Sequence, residues 1–387
     1  MAPPKLSLER NIDNSIGKGL CNILSFQKKF VKQKNLSEIS LNKIMILKLN
    51  AIGDAVLSLP MINLLKKNTN AQIVVVCGKD NFPVYNNQKF IDKLIVFDIT
   101  NHNPFSLLKQ INILKKEKPD LVIDTSQSAY FSAALATYIG RYSIGFINKN
   151  TPLRNKVFDK AIPLNPNKHM VFCYIDLIKP LKINYNYEDI SLIIMNPPKE
   201  SFTKINKLIN KKYKYIGIHP CNALVSREWP KENYVKLILF LTKTYSNTKI
   251  ILIYGSDIER KKVLDLMNEL PQNIKKNIIC FNSSVNDLIA IMTKLDLFIG
   301  NDGGPMHIAA AMGVPTIGLF GSGTPIRYAP FSKNSISLYK KVNCSPCYKA
   351  YLCEWPICDN PICLKEIKLF DVKRAISKLD YNLIKYA

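Results

Sequence analysis

Residues 296–325 permit few architectures: Asp296-Leu-Phe-Ile-Gly300-Asn-Asp302-Gly-Gly-Pro-Met-His307-Ile-Ala-Ala-Ala-Met312-Gly-Val-Pro-Thr316-Ile-Gly-Leu-Phe320-Gly-Ser-Gly-Thr-Pro325. The run Leu297-Phe298-Ile299 has the unbroken apolar character of a strand buried on both faces of a parallel sheet. Gly304 and Pro305 suit the N-cap and first position of a helix, and Gly313 with Pro315 beyond it stops that helix after about two turns. Strand, glycine turn, short helix, strand and second glycine turn follow in order. A helix entered through glycines leaves its N–H groups and positive dipole end uncovered, which favours a phosphate or pyrophosphate. Asp302 stands at the same mouth, where its charge would repel phosphate. It is therefore expected to face a sugar or ribose hydroxyl, or to cap the helix.

The same alternation runs through most of the chain. Lys43–Leu49 reads as the first strand, followed by Asn50-Ala-Ile-Gly53-Asp54 and a helix with Leu57, Met61, Leu64 and Leu65 on one face, in which Pro60 is awkward. Further strands are expected at 72–77, 93–97, 121–124 and 142–146. A second series has strands at 215–219, 249–254, 277–280 and 297–299, separated by helical stretches. Such alternation specifies an α/β fold of two doubly wound, mostly parallel sheets. The expected organisation is a basic amphipathic segment over 1–40, a Rossmann-like domain over 41–165 and a connection over 166–212. A second Rossmann-like domain follows over 213–370, and a closing helix over 371–387. Ligands of such sheets lie outside the carboxyl ends of the strands, so the glycine turns are expected to gather around a cleft between the two domains.

The length of 387 residues is consistent with two cores. No apolar run approaches the ~18 residues of a membrane-spanning helix. The N-terminus lacks the compact apolar core and cleavage site of a signal peptide, and a cytoplasmic location is expected. The net charge of +25 implies an anionic partner: nucleic acid, an acidic membrane surface or a phosphorylated substrate. Only seven of the 54 basic residues are Arg, so an Arg inside a motif is more informative than a Lys.

In residues 1–40, Ile12, Ile16, Leu20, Ile23, Leu24, Phe30 and Val31 fall at helical spacing among Lys18, Lys28, Lys29, Lys32 and Lys34. Two readings fit this pattern: a helix lying on an anionic leaflet, or a leading helix packed on the body.

Four strand-end motifs carry candidate chemistry. Asp54, after the first strand, could accept a proton from a substrate hydroxyl or could cap the following helix through the N–H groups near Val56 or Leu57. Its turn lacks the G-x-G-x-x-G fingerprint of a dinucleotide site. In His219-Pro-Cys-Asn-Ala-Leu-Val-Ser-Arg227-Glu-Trp229-Pro230, the Arg227 fork could hold a diphosphate while the indole packs, or could pair with Glu228 or another acid. In Tyr254-Gly-Ser-Asp257-Ile-Glu259-Arg260, the acids could bond a ribose or base, or cap a helix. The fourth motif is the opening one, where His307 could donate to phosphate or remain a satisfied, half-buried histidine.

Ten cysteines without an export signal argue against a disulfide scaffold. Cys344, Cys347, Cys353, Cys358 and Cys363 cluster in sequence. They could hold a structural zinc, stay as partly buried thiols or form an occasional disulfide, and their spacing is too tight for an ordinary two-knuckle zinc site.

Together and in this order, these motifs resemble glycosyltransferase family 9, the heptosyltransferases that build the inner core of bacterial lipopolysaccharide. The resemblance rests on Leu49-Asn-Ala-Ile-Gly53-Asp54 through Leu57-Ser-Leu-Pro60, on Ser226-Arg-Glu-Trp-Pro230, on Gly300-Asn-Asp302-Gly-Gly-Pro-Met-His307, on Gly318-Leu-Phe-Gly321, and on the cysteine-bearing tail. It implies a GT-B fold and an inverting, metal-independent transfer. The implied donor is an ADP-heptose-like nucleotide sugar, and the acceptor a lipid-linked anionic saccharide. By matching position, Asp54 is the general base and Arg227 lies near the donor phosphates. Asp302 contacts the sugar, Gly303, Gly304 and His307 line the diphosphate, and Asp257 or Glu259 contacts the nucleoside. No cofactor and no metal site are expected, nor is nucleic acid as a partner, and the enzyme is expected peripherally at the inner face of the cytoplasmic membrane. Two departures stand out: Gly303 replaces the family's usual Thr or Ser, and Cys358 is additional. The alternatives are another two-domain sugar-nucleotide enzyme, such as an epimerase, or a non-catalytic, basic nucleic-acid-binding protein.

Overall fold

Among the described residues, twelve strands form two six-stranded sheets, with every strand pairing parallel. The computed structural model describes residues 13–30, 35–100, 103–190, 194–245, 247–349 and 358–379. Ile12, Val31, Lys32, Lys34 and Cys353 lie outside the described residues. By contacts the chain divides into two compact units, one made of Met1–Ser191 with Lys349–Trp355 and the other of Leu192–Tyr348 with Pro356–Ala387.

The first sheet contains β1 (Lys43–Lys48), β2 (Gln72–Cys77), β3 (Lys93–Val96), β4 (Leu121–Asp124), β5 (Tyr142–Ile147) and β6 (Lys160–Pro163), in the order β3-β2-β1-β4-β5-β6. The central strands are apolar because helices cover both faces. Met45, Leu47, Val74, Val76 and Val122 share one cluster with Cys21, Leu114 and Ala133. The helix Ile52–Asn68 is buried almost continuously from Ala55 to Leu65 rather than along one stripe, and it runs through Pro60. The short edge strand β6, Lys-Ala-Ile-Pro, is absent from the expected pattern. An edge strand tolerates both Lys and a terminal Pro, which erase the apolar signal.

The second sheet contains β7 (Lys214–His219), β8 (Thr248–Tyr254), β9 (Ile278–Asn282), β10 (Leu297–Asn301), β11 (Thr316–Phe320) and β12 (Ser335–Tyr339), in the order β12-β11-β10-β7-β8-β9. The partly buried strand β12 alternates Ser, Ile, Ser, Leu and Tyr, a period-two signal that sequence reading passed over. The core of this unit joins Ile216, Ile250, Leu297, Ile317, Trp229 and Tyr234. The helix Leu369–Leu379 buries Val372 and Ile376 in the same core.

In each sheet the strand order reverses beside the first strand of its unit, between β1 and β4 and between β7 and β10. Loops leaving the carboxyl ends of such neighbours diverge to opposite faces and leave a crevice. Asp54 follows β1, Arg227 follows β7 and Asp302 follows β10.

Candidate functional site

In the first unit, Asp54 lies in the opening turn of the helix Ile52–Asn68, whose N-cap is Ala51 with φ 66°. The carboxylate is not used as a cap: Oδ1 is buried with no hydrogen-bond partner among the described residues. Its Oδ2 faces Lys48 Nζ at 3.6 Å. Lys48 is 5% exposed at the end of β1, and its ammonium stands 6.0 Å from the centre of the Tyr174 ring. A buried ammonium needs a countercharge, and Asp54 supplies it. A carboxylate beside a cation and at a positive helix end, with one oxygen left over, can take a proton from a third party.

The second unit brings together the loops after β7, β10 and β11. The motif helix spans Gly304–Ala311 with extended Gly303 as its N-cap, one residue earlier than expected. It ends at Met312, followed by Gly313 at φ +78°, as the Gly-x-Pro signal predicts. His307 is buried in its first turn rather than half-exposed. Asp302, also buried, does not stand alone: its Oδ2 lies 3.6 Å from an Arg227 terminal nitrogen. The other side of the Arg227 guanidinium stacks on Tyr348, 3.8 Å from ring centre. A Cβ at Gly323 would fall 2.4 Å from Asp302 Oδ2 and 3.5 Å from Arg227, so the second glycine turn leaves room for this pair.

Trp229 does what its apolar body suggests. It is buried in the core, donates its indole N–H to the Ile367 carbonyl at 2.8 Å and meets Tyr234 edge to face. Glu228 is not the partner of Arg227; it pairs with Lys262 at 2.5 Å and accepts the Asn222 N–H at 2.6 Å. The loop is held by a residue sequence reasoning missed. Buried Asn301 accepts from the Trp229 N–H and the Tyr234 hydroxyl, each at 3.0 Å, and donates to the Pro220 carbonyl at 3.0 Å. Its signal was a polar residue closing an otherwise apolar strand.

After β8, Asp257 and Glu259 separate in role. Asp257 is exposed at the start of its helix. Ser256 caps that helix by accepting the Glu259 N–H at 3.3 Å, and the Glu259 carboxylate reaches back to the Gly255 N–H at 2.7 Å. Glu259 also lies 3.7 Å from His219 Nε2 at the end of β7. Burial opposes its ionisation, but His219, the Gly255 N–H and Lys262 outweigh burial and hold the carboxyl below its ordinary value. Capping and a charged site at the sheet end therefore coexist in one residue.

These loops place Arg227, Asp302, His307 and Glu259 at the carboxyl ends of β7, β8 and β10. A family model described as glycosyltransferase family 9 (heptosyltransferase) matches residues 107–354. The chain belongs to this family. A lipooligosaccharide heptosyltransferase 2 from Campylobacter jejuni is 26% identical over 341 residues, covering 85% of this chain and 96% of the relative. The solved ADP-heptose lipopolysaccharide heptosyltransferase II of Escherichia coli superposes with a TM-score of 0.69 at 17% identity, covering 89% of this chain and 99% of that one. A family 9 glycosyltransferase from Veillonella parvula gives 0.73 at 20% identity, covering 89% and 98%. The fold is GT-B, and the epimerase reading is set aside.

In this glycosyltransferase the cysteine-rich tail yields no metal centre among the described residues, where no group of three or more His, Cys, Asp or Glu is placed to hold an ion. Cys344, Cys347, Cys358 and Cys363 are free thiols. Burial first, and then the neighbouring cysteines, push the Cys347 thiol up. Tyr348, just after Cys347, donates its N–H to the Ser322 carbonyl at 2.9 Å, which links the tail to the Gly321–Gly323 turn beside Arg227.

Proposed function

We propose that this protein transfers a heptose from an ADP-heptose donor to a lipopolysaccharide inner-core acceptor, with inversion at the anomeric carbon. The observation that carries this reading is the gathering of Arg227, Asp302 and the Gly303–Gly304 helix mouth at the β7–β10 reversal. The ADP-heptose named for the Escherichia coli relative and the lipooligosaccharide named for the Campylobacter jejuni relative agree with it.

The diphosphate sits at the N-terminus of the helix Gly304–Ala311, where backbone N–H groups, the helix dipole and Arg227 meet its charge. Asp302 accepts from sugar hydroxyls. Glu259 or Asp257 accepts from the nucleoside, and Glu259 is the stronger candidate because it is held ionised. Asp54 takes the proton of the acceptor hydroxyl. That oxygen attacks the anomeric carbon from the face opposite the leaving group, the bond to the diphosphate oxygen breaks, and ADP departs with the electron pair. Charge neutralisation by Arg227 and the helix end gives the leaving group its stabilisation without a metal step. The acceptor is a lipid, and the enzyme works peripherally at the cytoplasmic face of the membrane.

The test is a transfer assay with ADP-heptose and a lipid-linked acceptor bearing Kdo. The expected result is one ADP released per glycosylated product, with transfer undiminished by a chelator. Asp54→Asn should lose turnover while ADP still raises the melting temperature. Near-full transfer by that variant would refute the base assignment. Stabilisation by UDP- or GDP-sugars but not by ADP-heptose would refute the donor.

A further inference from the structure

The leading helix Lys18–Lys28 faces the opposite way from an ordinary packed helix. Its row at helical spacing, Ile16, Leu20, Ile23, Phe26 and Phe30, points to solvent, with Phe26 61% and Phe30 76% exposed. The two phenyl rings meet edge to face with centroids 5.2 Å apart. Its inner face packs Cys21 and Leu24 into the hydrophobic cluster of the first unit and is pinned by polar ties. The Asp13 carboxylate accepts the N–H groups of Tyr130 and Phe131 at 2.9 and 2.7 Å, capping the helix Tyr130–Ile139. Cys21 donates to the Tyr130 carbonyl, and Lys28 pairs with Asp159 at 2.7 Å. These ties fix which face looks outward.

A second helix behaves in the same way. Pro104–Lys116 buries Leu114 and packs Leu107 and Ile111 into the cluster that contains Cys21, on the same side of the first sheet. Its other face exposes Phe105 at 82%, Leu108 at 57% and Ile113 at 44%. Both helices contact Tyr130–Ile139, which lies largely buried with them. Neither contains an acidic residue, and their exposed faces carry Lys29, Lys109, Lys115 and Lys116. Exposed aromatics flanked by lysines match a bilayer interface carrying anionic headgroups. A second copy would bring the same positive charge, and residues 1–12, with Lys5 and Arg10 against Glu9, offer no countercharge.

We infer that the outward faces of Lys18–Lys28 and Pro104–Lys116 together form a docking surface for an anionic membrane leaflet. This rests on the peripheral, lipid-acceptor reading above and extends it from the N-terminal segment to a second helix about eighty residues away in sequence. Phe26 and Phe30 of the first helix and Phe105 and Leu108 of the second enter the headgroup–acyl boundary, and the lysines meet lipid phosphates.

The test is co-sedimentation of the full-length protein with vesicles of phosphatidylglycerol and phosphatidylethanolamine, and with phosphatidylcholine vesicles. The variants are Phe26→Ser/Phe30→Ser and Phe105→Ser/Leu108→Ser. Each pair should weaken binding to anionic vesicles about ten-fold or more. Raising salt should weaken binding by the wild type, and phosphatidylcholine should bind poorly. Transfer to a detergent-solubilised acceptor and stabilisation by ADP should be unchanged, which shows the variants folded and separates this inference from the transferase reading. Loss of binding in the first pair only would overturn the two-helix surface while leaving an N-terminal anchor. Equal binding to neutral vesicles would overturn the charge argument. A wild-type dimer dissociated by the same substitutions, without vesicle binding, would overturn the membrane as occupant.

Discussion

Asn301 Oδ1 accepts the Trp229 backbone N–H at 3.0 Å, and this bond ties the end of β10 to the loop that carries Arg227. The Asn301 amide then donates to the Pro220 carbonyl, at the other end of that loop. The loop that carries the guanidinium is thus held by a buried side chain. Asn301→Ala leaves the Pro220 carbonyl and the Trp229 N–H unpaired in a dry site, and should cost about 2–4 kcal/mol in urea unfolding. Donor affinity should fall with it. Unchanged stability would remove Asn301 from this role.

Lys48 and Asp54 form a second such pair. Lys48→Met keeps the apolar stem but removes the charge opposite Asp54 Oδ2. The proposed proton acceptor, Asp54, is then misplaced rather than deleted. The turnover number should fall by about ten-fold or more, less than the ~10²–10⁴-fold expected for Asp54→Asn. The affinity for ADP, assigned above by proposal to the second unit, should stay constant in calorimetry.

The two glycines flanking Asp302 should respond differently. At Gly303 the backbone is extended at φ −177° and an added Cβ would lie 3.3 Å from Asn222 Nδ2. Gly303→Thr should therefore fold with a stability change within about 1 kcal/mol, and its hydroxyl should hold or improve donor affinity. Gly323→Ala pushes against the movable Asp302 carboxylate at 2.4 Å. It should keep the fold but raise the ADP-heptose dissociation constant about ten-fold, measured by the same titration.

Arg154 and Asp124 make a fully buried pair at 3.1 Å, with Arg154 also donating to the Phe146 and Ser126 carbonyls. Arg154→Met leaves Asp124 uncompensated. Burial already pushes that carboxyl up, so the loss should approach about 3–5 kcal/mol by chemical denaturation. A merely catalytic role would instead spare stability.

Glu259 gives a pH signature with a definite sign. Its folded carboxyl titrates below the ordinary value of 4.5, because its partners outweigh burial. The stability it contributes is fully present above about pH 4.5 and is lost as pH falls through the lower folded value. The melting-temperature gap between wild type and Glu259→Gln should therefore be constant near neutrality and narrow below about pH 4.5.

What the sequence determined by itself was local and periodic. Apolar runs with helical stretches between them specify parallel sheets. Gly304-Pro305 and Gly313 bound a two-turn helix, although its cap falls at Gly303. Strands with a continuous apolar run were legible, the edge strands β3 and β9 included, whereas β6 and β12 were not, since Lys160 and Pro163 in the one and alternating Ser in the other break the run. The roles of charged residues needed the fold. Asp54 as cap or base, Arg227 on a diphosphate or paired with Glu228 or another surface acid, and Glu259 as cap or site residue were open choices in the chain. Ion pairs and stacking depend on atoms brought together from distant positions, as with Arg227, Asp302 and Tyr348. The amphipathic row near the N-terminus shows the same limit: its spacing predicts a stripe, and only the ties from Asp13, Cys21 and Lys28 decide that the stripe faces outward.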